Sequence, residues 1–443
     1  MRCPSSNIPD LVCTAGRARC HYVGVRVLVS DGFGVTSRQV ALLLARAGHE
    51  VDLLAPEGRP PLRLPPEVGR VHPVPAFGSA PWQWLEAAEK IARVDGHDVL
   101  IPAGDQVAVL SRADAGSGAL AGRVAVPRFA ALERVQDKVS AAVTLTEIGL
   151  PQPEGTVVKS AEALRQVADP PLYVKLAVGS RGDGVFRIAR REELLALADR
   201  LEADGVFAGG GRVLVQHPAQ GQMISAQAVF DNGRLVAAHV FRHVRSDGRS
   251  GAVAKQSVDM PSVREHITLL GAHVGWHGAL SMDGVLTADG PMWIDVNPRL
   301  VEPANAVLSG TDLVAALIGV SVGQAPPAAL RGRPAVMTHQ FVPALLAAAG
   351  EGRLAVLREL WQATVRGGVY RDSAEELLSP RTERRAIPSL LGLAAGLLTA
   401  PDWAVRRARR GEDVEALTAS AWGQIRAGAP PGDLAPTDSL FRE

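Results

Sequence analysis

Residues 278–299 read GALSMDGVLTADGPMWIDVNPR, two largely apolar runs on either side of Ala288-Asp289-Gly290. A three-residue hairpin with Gly290 in the left-handed position places Asp283 opposite Asp295. Strand alternation keeps Asn297 on the face of Asp295 and sends Ile294 and Val296 to the other face. Two carboxylates and an amide oxygen therefore converge where the sequence is otherwise apolar. Like charges directly opposed across a ladder destabilise it unless a cation lies between them. Hard oxygen ligands without His or Cys favour Mg²⁺ or Mn²⁺. Arg299, just beyond, offers a bidentate fork to a phosphate or carboxylate. The plainer alternative puts Asp283 in a turn and pairs Asp295 with Arg299 on the surface.

Upstream of this hairpin, residues 172–176 read as a strand carrying Lys175. The loop 179–184 that follows contains Gly179, Ser180 and Gly182, and its amides suit phosphate oxygens, although it is not a Walker A sequence. Strands are expected at 156–158, 185–188, 212–217, 225–230 and 234–242, the last two joined by an Asp231-Asn232-Gly233 turn, with helices at 131–148, 191–203 and 262–271. This is an α+β body. Before it, a strand at 25–30, a helix at 37–47, a strand at 51–54, a helix at 82–93 and a strand at 98–101 alternate as a small parallel α/β domain. Its loop 31–37 gives G-x-G-x-x-S without the third glycine of a dinucleotide fingerprint, and reads as a tight turn into a helix N-terminus able to receive a substrate anion. Beyond 325–327 the chain is rich in Ala, Leu and Arg with helical periodicity and no evident chemistry. The expected division is a disordered extension at 1–22, an α/β domain at 23–115, the α+β body at 116–325 and a mainly helical region at 326–443.

Composition narrows the functional classes. The 443 residues suffice for several domains, and 47% hydrophobic with 21% charged residues is ordinary globular usage, which excludes wholesale disorder. Lys plus Arg (47) nearly cancel Asp plus Glu (46), so no global field draws the chain to nucleic acid. Only five of the basic residues are Lys, so Lys138, Lys175 and Lys255 invite attention. All three cysteines precede residue 21, which leaves the folded body without a thiol nucleophile and fits a reducing cytoplasm. The apolar run 389–400 is too short to span a bilayer; it suits a buried helix or, given its flanking arginines, a membrane surface.

The order Asp137-Lys138, Val174-Lys175 with its Gly-rich loop, Val213-Leu214-Val215-Gln216, Met282-Asp283 and Ile294-Asp295-Val296-Asn297-Pro298-Arg299 resembles the ATP-grasp superfamily, especially its carbamoyl-phosphate-synthase-like carboxylate–amine ligases. The resemblance covers about residues 23–323. It implies an ATP-grasp fold of two lobes behind a Rossmann-like N-terminal domain, with a helical region after it. It further implies an ADP-forming ligase that joins a small-molecule carboxylate to an amine through an acyl phosphate, and often a homodimer. By position, Lys138 and Lys175 would touch ATP phosphates, Gln216 and the backbone at His217 would meet adenine, and Asp283, Asp295 and Asn297 would bind Mg²⁺. Arg299 would steady the transferred phosphoryl group, with Arg242, Arg245 or Lys255 as a further cation and loop 179–184 as a lid. The pattern departs from the family at Gln216, usually Glu, at Met223, usually the ribose-binding acid, and in using Asp rather than Glu for the metal. A catalytically silent ATP-binding module is the alternative those departures suggest.

Overall fold

The computed structural model describes residues 11–13, 20–22, 24–58, 68–114, 116, 118–179, 182–246, 251–326, 329–377, 387–408 and 413–428. The N-terminal alternation folds as expected, into a parallel sheet ordered Val71–Val74, Glu50–Pro56, Arg26–Val29, Val99–Ile101. Helices Val35–Arg46 and Pro81–Val94 are the crossovers. Val71–Val74 escaped the sequence reading because Pro73 sits in so short a run. Within the stretch read as a disordered extension, Leu11–Cys13 and Cys20–Tyr22 pair as a short antiparallel ladder.

The body contains two sheets, antiparallel throughout except for the edge pair Met337–His339 and Ala374–Glu375, which is parallel. The smaller is ordered Gly155–Val158, Val213–Gln216, Leu172–Leu176, Val185–Ile188, and helix Arg191–Ala203 packs on it. Val174, Leu194, Leu197, Leu201 and Val213 give this lobe a hydrophobic core of its own. The larger sheet has seven strands, ordered Gly290–Asn297, Gly278–Thr287, Gln222–Asp231, Arg234–Ser246, Ala252–Ser257, Met337–His339, Ala374–Glu375. A single core joins one face of it, through Phe230, Met282 and Trp293, to Trp84 of helix Pro81–Val94, to Leu100 of the N-terminal sheet and to Trp422 of the C-terminal helix Ala419–Ala427.

Two expectations about elements change. The helix expected over 131–148 is two, Phe129–Glu133 and Lys138–Glu147. Asp137 restarts the helix: its carboxylate accepts the Ser140 N–H (2.8 Å) and hydroxyl (2.7 Å), a capping role that fixes Lys138 at the first helical position. The region 326–443 does contain helices, including Phe341–Glu351, Arg353–Val365 and Ile387–Thr399. It also contributes the two outermost strands of the large sheet, which were too short to show a period of two.

Candidate active site

The hairpin brings Asp283 and Asp295 face to face as expected, by a different route. Thr287 pairs with Gly290, so the turn has two residues rather than three, and a bulge at Ile294 restores the expected register beyond it. The bulge also changes which residue fills the core: Trp293, not Ile294, lies buried with Val296 against Met282. Ile294 instead turns its carbonyl to the Lys175 ammonium, 2.8 Å away.

Asp283 accepts the Ser225 hydroxyl (2.7 Å) on one oxygen and the Asn297 amide N–H (3.1 Å) on the other. Burial, reinforced by the facing Asp295, outweighs the Ser225 bond and the nearby Arg299 and pushes its carboxyl up to about 6. Asp295 pairs with Lys138 Nζ at 3.4 Å, which places a cation beside the opposed acids, and Lys138 also donates to the Gly179 carbonyl at 3.0 Å. Burial, with Lys138 adding repulsion, outweighs the pull of Asp295 and lowers the Lys175 ammonium to about 8. Asn297 shares the acids' face, yet its oxygen accepts from Arg299 Nη1 (2.8 Å) and its nitrogen faces Asp283. Two of the three expected oxygens therefore converge, and the third needs the amide to turn over. Arg299 is held on its other side by Asp105, Nε to Oδ1 3.4 Å, and not by Asp295. Lys138, Gly179, Asp295, Asn297, Arg299 and Asp105 line one small cavity of ≈ 30 Å³. A larger cleft of ≈ 410 Å³, lined by Glu133, Arg134 and Glu147 among others, contains none of these acids.

The further cation is corrected. Arg242 is exposed and donates to Gln256 (2.6 Å), because strand alternation turns it to the face opposite its neighbours Phe241 and His243. Arg245 is engaged by Glu359 of the C-terminal helices at 2.9 Å. Lys255 lies on the same face as the acids, fully buried between Glu302 (2.6 Å) and Glu376 (2.8 Å). Burial presses its ammonium down, but the two carboxylates more than offset this and keep it charged. Its partner Glu302 bears on the site through the negative charge it adds near Asp283.

On the small lobe, Gln216 ends strand Val213–Gln216, buried, with its side-chain oxygen lacking a partner among the described residues. His217 spends its N–H on the Glu154 carbonyl (2.8 Å), leaving its carbonyl as the backbone group for any base. Met223 sits two residues from Ser225 on the face of Asp283. In the Gly-rich loop, Gly182 and Gly184 take left-handed φ of 81° and 78°. A Cβ on Gly179 would stand 2.3 Å from the Asp183 carbonyl. Ser180 lies outside the described residues. In the N-terminal loop, Asp31 itself takes the amides of Phe33 (2.7 Å) and Gly34 (3.1 Å).

Sequence reasoning missed Ser225, Asp105 and Glu302. Asp105 follows the carboxyl end of a parallel strand, the usual ligand edge of such sheets, and that rule could have found it. Ser225 and Glu302 become visible only through pairing across strands.

No protein-family model matches the chain. Solved structures do. The biotin carboxylase domain of Hydrogenobacter thermophilus 2-oxoglutarate carboxylase, determined with MgADP, ADP and bicarbonate, is similar at a TM-score of 0.58 and 16% identity over 72% of this chain and 75% of that one. Phosphoribosylamine–glycine ligase of Thermotoga maritima gives 0.55 and 20%, over 71% and 79%. L-amino acid ligase of Bacillus licheniformis gives 0.51 and 15%, over 67% and 74%. At these identities the likeness speaks to architecture alone: this chain has the ATP-grasp fold.

Proposed function

We propose that the chain is an ATP- and Mg²⁺-dependent carboxylate–amine ligase that works through an acyl phosphate and releases ADP and phosphate. The observation that carries this reading is the opposed pair Asp283 and Asp295, with Lys138, Lys175 and Arg299 around it. Opposed acids, one of them held up to about 6, are a donor set for a hard divalent ion. Mg²⁺, when bound, neutralises charge on the phosphates of ATP. Asp283 and Asp295 would hold the ion, with Asn297 as a third ligand once its oxygen is released from Arg299. The two ammonium groups suit the phosphate chain, and the unpartnered Gln216 oxygen suits the exocyclic amine of adenine. The similarity to a biotin carboxylase domain bound to MgADP, and to two proteins named as ligases, agrees with this use of the fold.

The chemistry asks little else of the protein. A carboxylate acylates poorly because oxide is a poor leaving group, and phosphorylation by ATP cures that. Positioning and charge neutralisation then dominate, so neither a cysteine nor a serine triad is needed. Arg299, anchored by Asp105, is placed to steady the phosphoryl group as it moves. The loop 179–184, tied to the site through Gly179 and Lys138, is the natural cover against water.

A phosphate-release screen against pooled carboxylates and amines tests this. ADP and phosphate formed only when both substrates are present supports it. AMP and pyrophosphate would replace it with adenylation, and nucleotide binding without turnover in any pool would leave the silent module, the reading favoured by Met223 at the ribose position.

A further inference from the structure

The parallel N-terminal sheet carries a second cluster, unrelated to the phosphate chemistry. Asp52 on strand Glu50–Pro56, His72 on Val71–Val74 and His97 just before Val99–Ile101 bring one ligand atom each within 4.8 Å of the others, the one such His/Cys/Asp/Glu group among the described residues. Asp52 Oδ2 lies 3.0 Å from His97 Nε2 and 3.3 Å from His72 Nε2. We propose that Asp52, His72 and His97 bind a transition-metal cation of the zinc class, with water completing a four-coordinate site.

The distances suit it. Zinc bonds to nitrogen and oxygen of about 2.0–2.2 Å set tetrahedral ligand atoms roughly 3.3 Å apart, close to both Asp52 separations. Imidazole with carboxylate selects zinc, nickel or cobalt over Mg²⁺, whose preference is for oxygen alone. The Arg70 N–H (2.7 Å) fixes Asp52 Oδ1 and leaves Oδ2 to the two rings. This close approach of backbone depends on Gly69, where a Cβ would stand 2.5 Å from Oδ1. His97 is 2% exposed and its buried Nδ1 has no partner among the described residues, so Nε2 is the nitrogen the fold engages. Asp95 stands behind His72, 3.7 Å from Nδ1, where an outer carboxylate orients a metal-bound ring. His72 and Asp52 retain side-chain exposures of 12% and 15%, enough for an ion to enter.

The cluster sits toward the amino ends of the parallel strands. Asp105, which anchors Arg299, follows the carboxyl end of Val99–Ile101. The proposed ion is thus structural, clamping three segments of the sheet far from the opposed acids.

Titration of the full chain, stripped with chelator, with Co²⁺ decides the matter. The expected result is the intense visible absorption of four-coordinate Co²⁺ saturating at one equivalent, displaced by Zn²⁺ and preserved in Asp295→Asn. It should vanish in His72→Gln, and affinity should fall at least about tenfold in the isosteric Asp52→Asn. Should His72→Gln fail to fold, Asp52→Asn and a Zn²⁺-dependent rise in the wild-type melting temperature carry the test. No such absorption in the wild type, an unchanged spectrum and affinity in both variants, or its loss in Asp295→Asn would each overturn the site.

Discussion

Asp283 lies within a largely apolar strand, its carboxyl pushed up to about 6 and a second carboxylate opposite it. Such a residue works against the stability of the metal-free fold, and a chain retains it for what it binds. Asp283→Asn is therefore expected to leave the melting temperature of the metal-free protein unchanged or higher, while Mg²⁺-dependent phosphate release falls by about two orders of magnitude or more. Calorimetry and a coupled ADP assay on one preparation measure both. Lys175→Met should likewise preserve the fold, because burial already disfavours the ammonium. Its cost should appear as a raised KM for ATP. The facing of Asp283 and Asp295 was legible in the sequence because hairpin pairing and strand alternation fix it, whereas Lys138, which follows Asp137 directly, drew attention through the scarcity of lysine and the family resemblance. Asp105 and Ser225 were not legible, since each acquires meaning only from a partner 194 or 58 positions away in the chain.

At the scale of elements, one face of the large sheet is unusually polar. His239, His243, Lys255 and Thr338 share it with Asp283, and segment 301–305 closes over it through Glu302 and Asn305. Lys255→Met would leave Glu376, fully buried, and Glu302 without their cation, a loss of about 3–5 kcal/mol measurable by urea unfolding. His239 is held neutral at about 4, chiefly by burial and also by nearby Lys255, against the hydrogen bond its Nε2 donates to Asn305 Oδ1. Its folded-state value is depressed, so the unfolded chain takes up a proton first as pH falls. Stability should drop between about pH 6.5 and 4 by an amount on the order of 3 kcal/mol, and His239→Gln should flatten that slope in urea midpoints taken across the range. Strand alternation read from sequence placed Asp295 and Asn297 on one face correctly. It could not place Lys255, because strand Ala252–Ser257 has no alternation of polarity: Ala252, Val253, Ala254 and Lys255 are all buried.

Across the whole molecule, the chain's last described helix returns to the N-terminal α/β domain. The Leu417 N–H binds Asp105 (3.0 Å), Glu415 accepts from Gln106 (2.7 Å), and Trp422 and Ile425 join the central core. Asp105 in turn holds Arg299, so the tail braces the candidate site from behind. A chain ending at residue 412 should melt at lower temperature and lose turnover beyond what its stability predicts, an effect read from kcat at a temperature where it remains folded. This return was hidden from the sequence, which shows only a short amphipathic segment there. No helix among the described residues is long and apolar enough to cross a membrane. The small lobe, with a separate core, touches the site through Lys175 and Gly179, an arrangement suited to closing over a nucleotide. Anomalous scattering from Mn²⁺ in crystals grown with a non-hydrolysable ATP analogue reports on the proposed chemistry at its centre. A manganese peak bridging Asp283 and Asp295 and the phosphates, absent from Asp295→Asn crystals, is the expected outcome; nucleotide bound without metal at those acids, or a peak that survives the substitution, would contradict it.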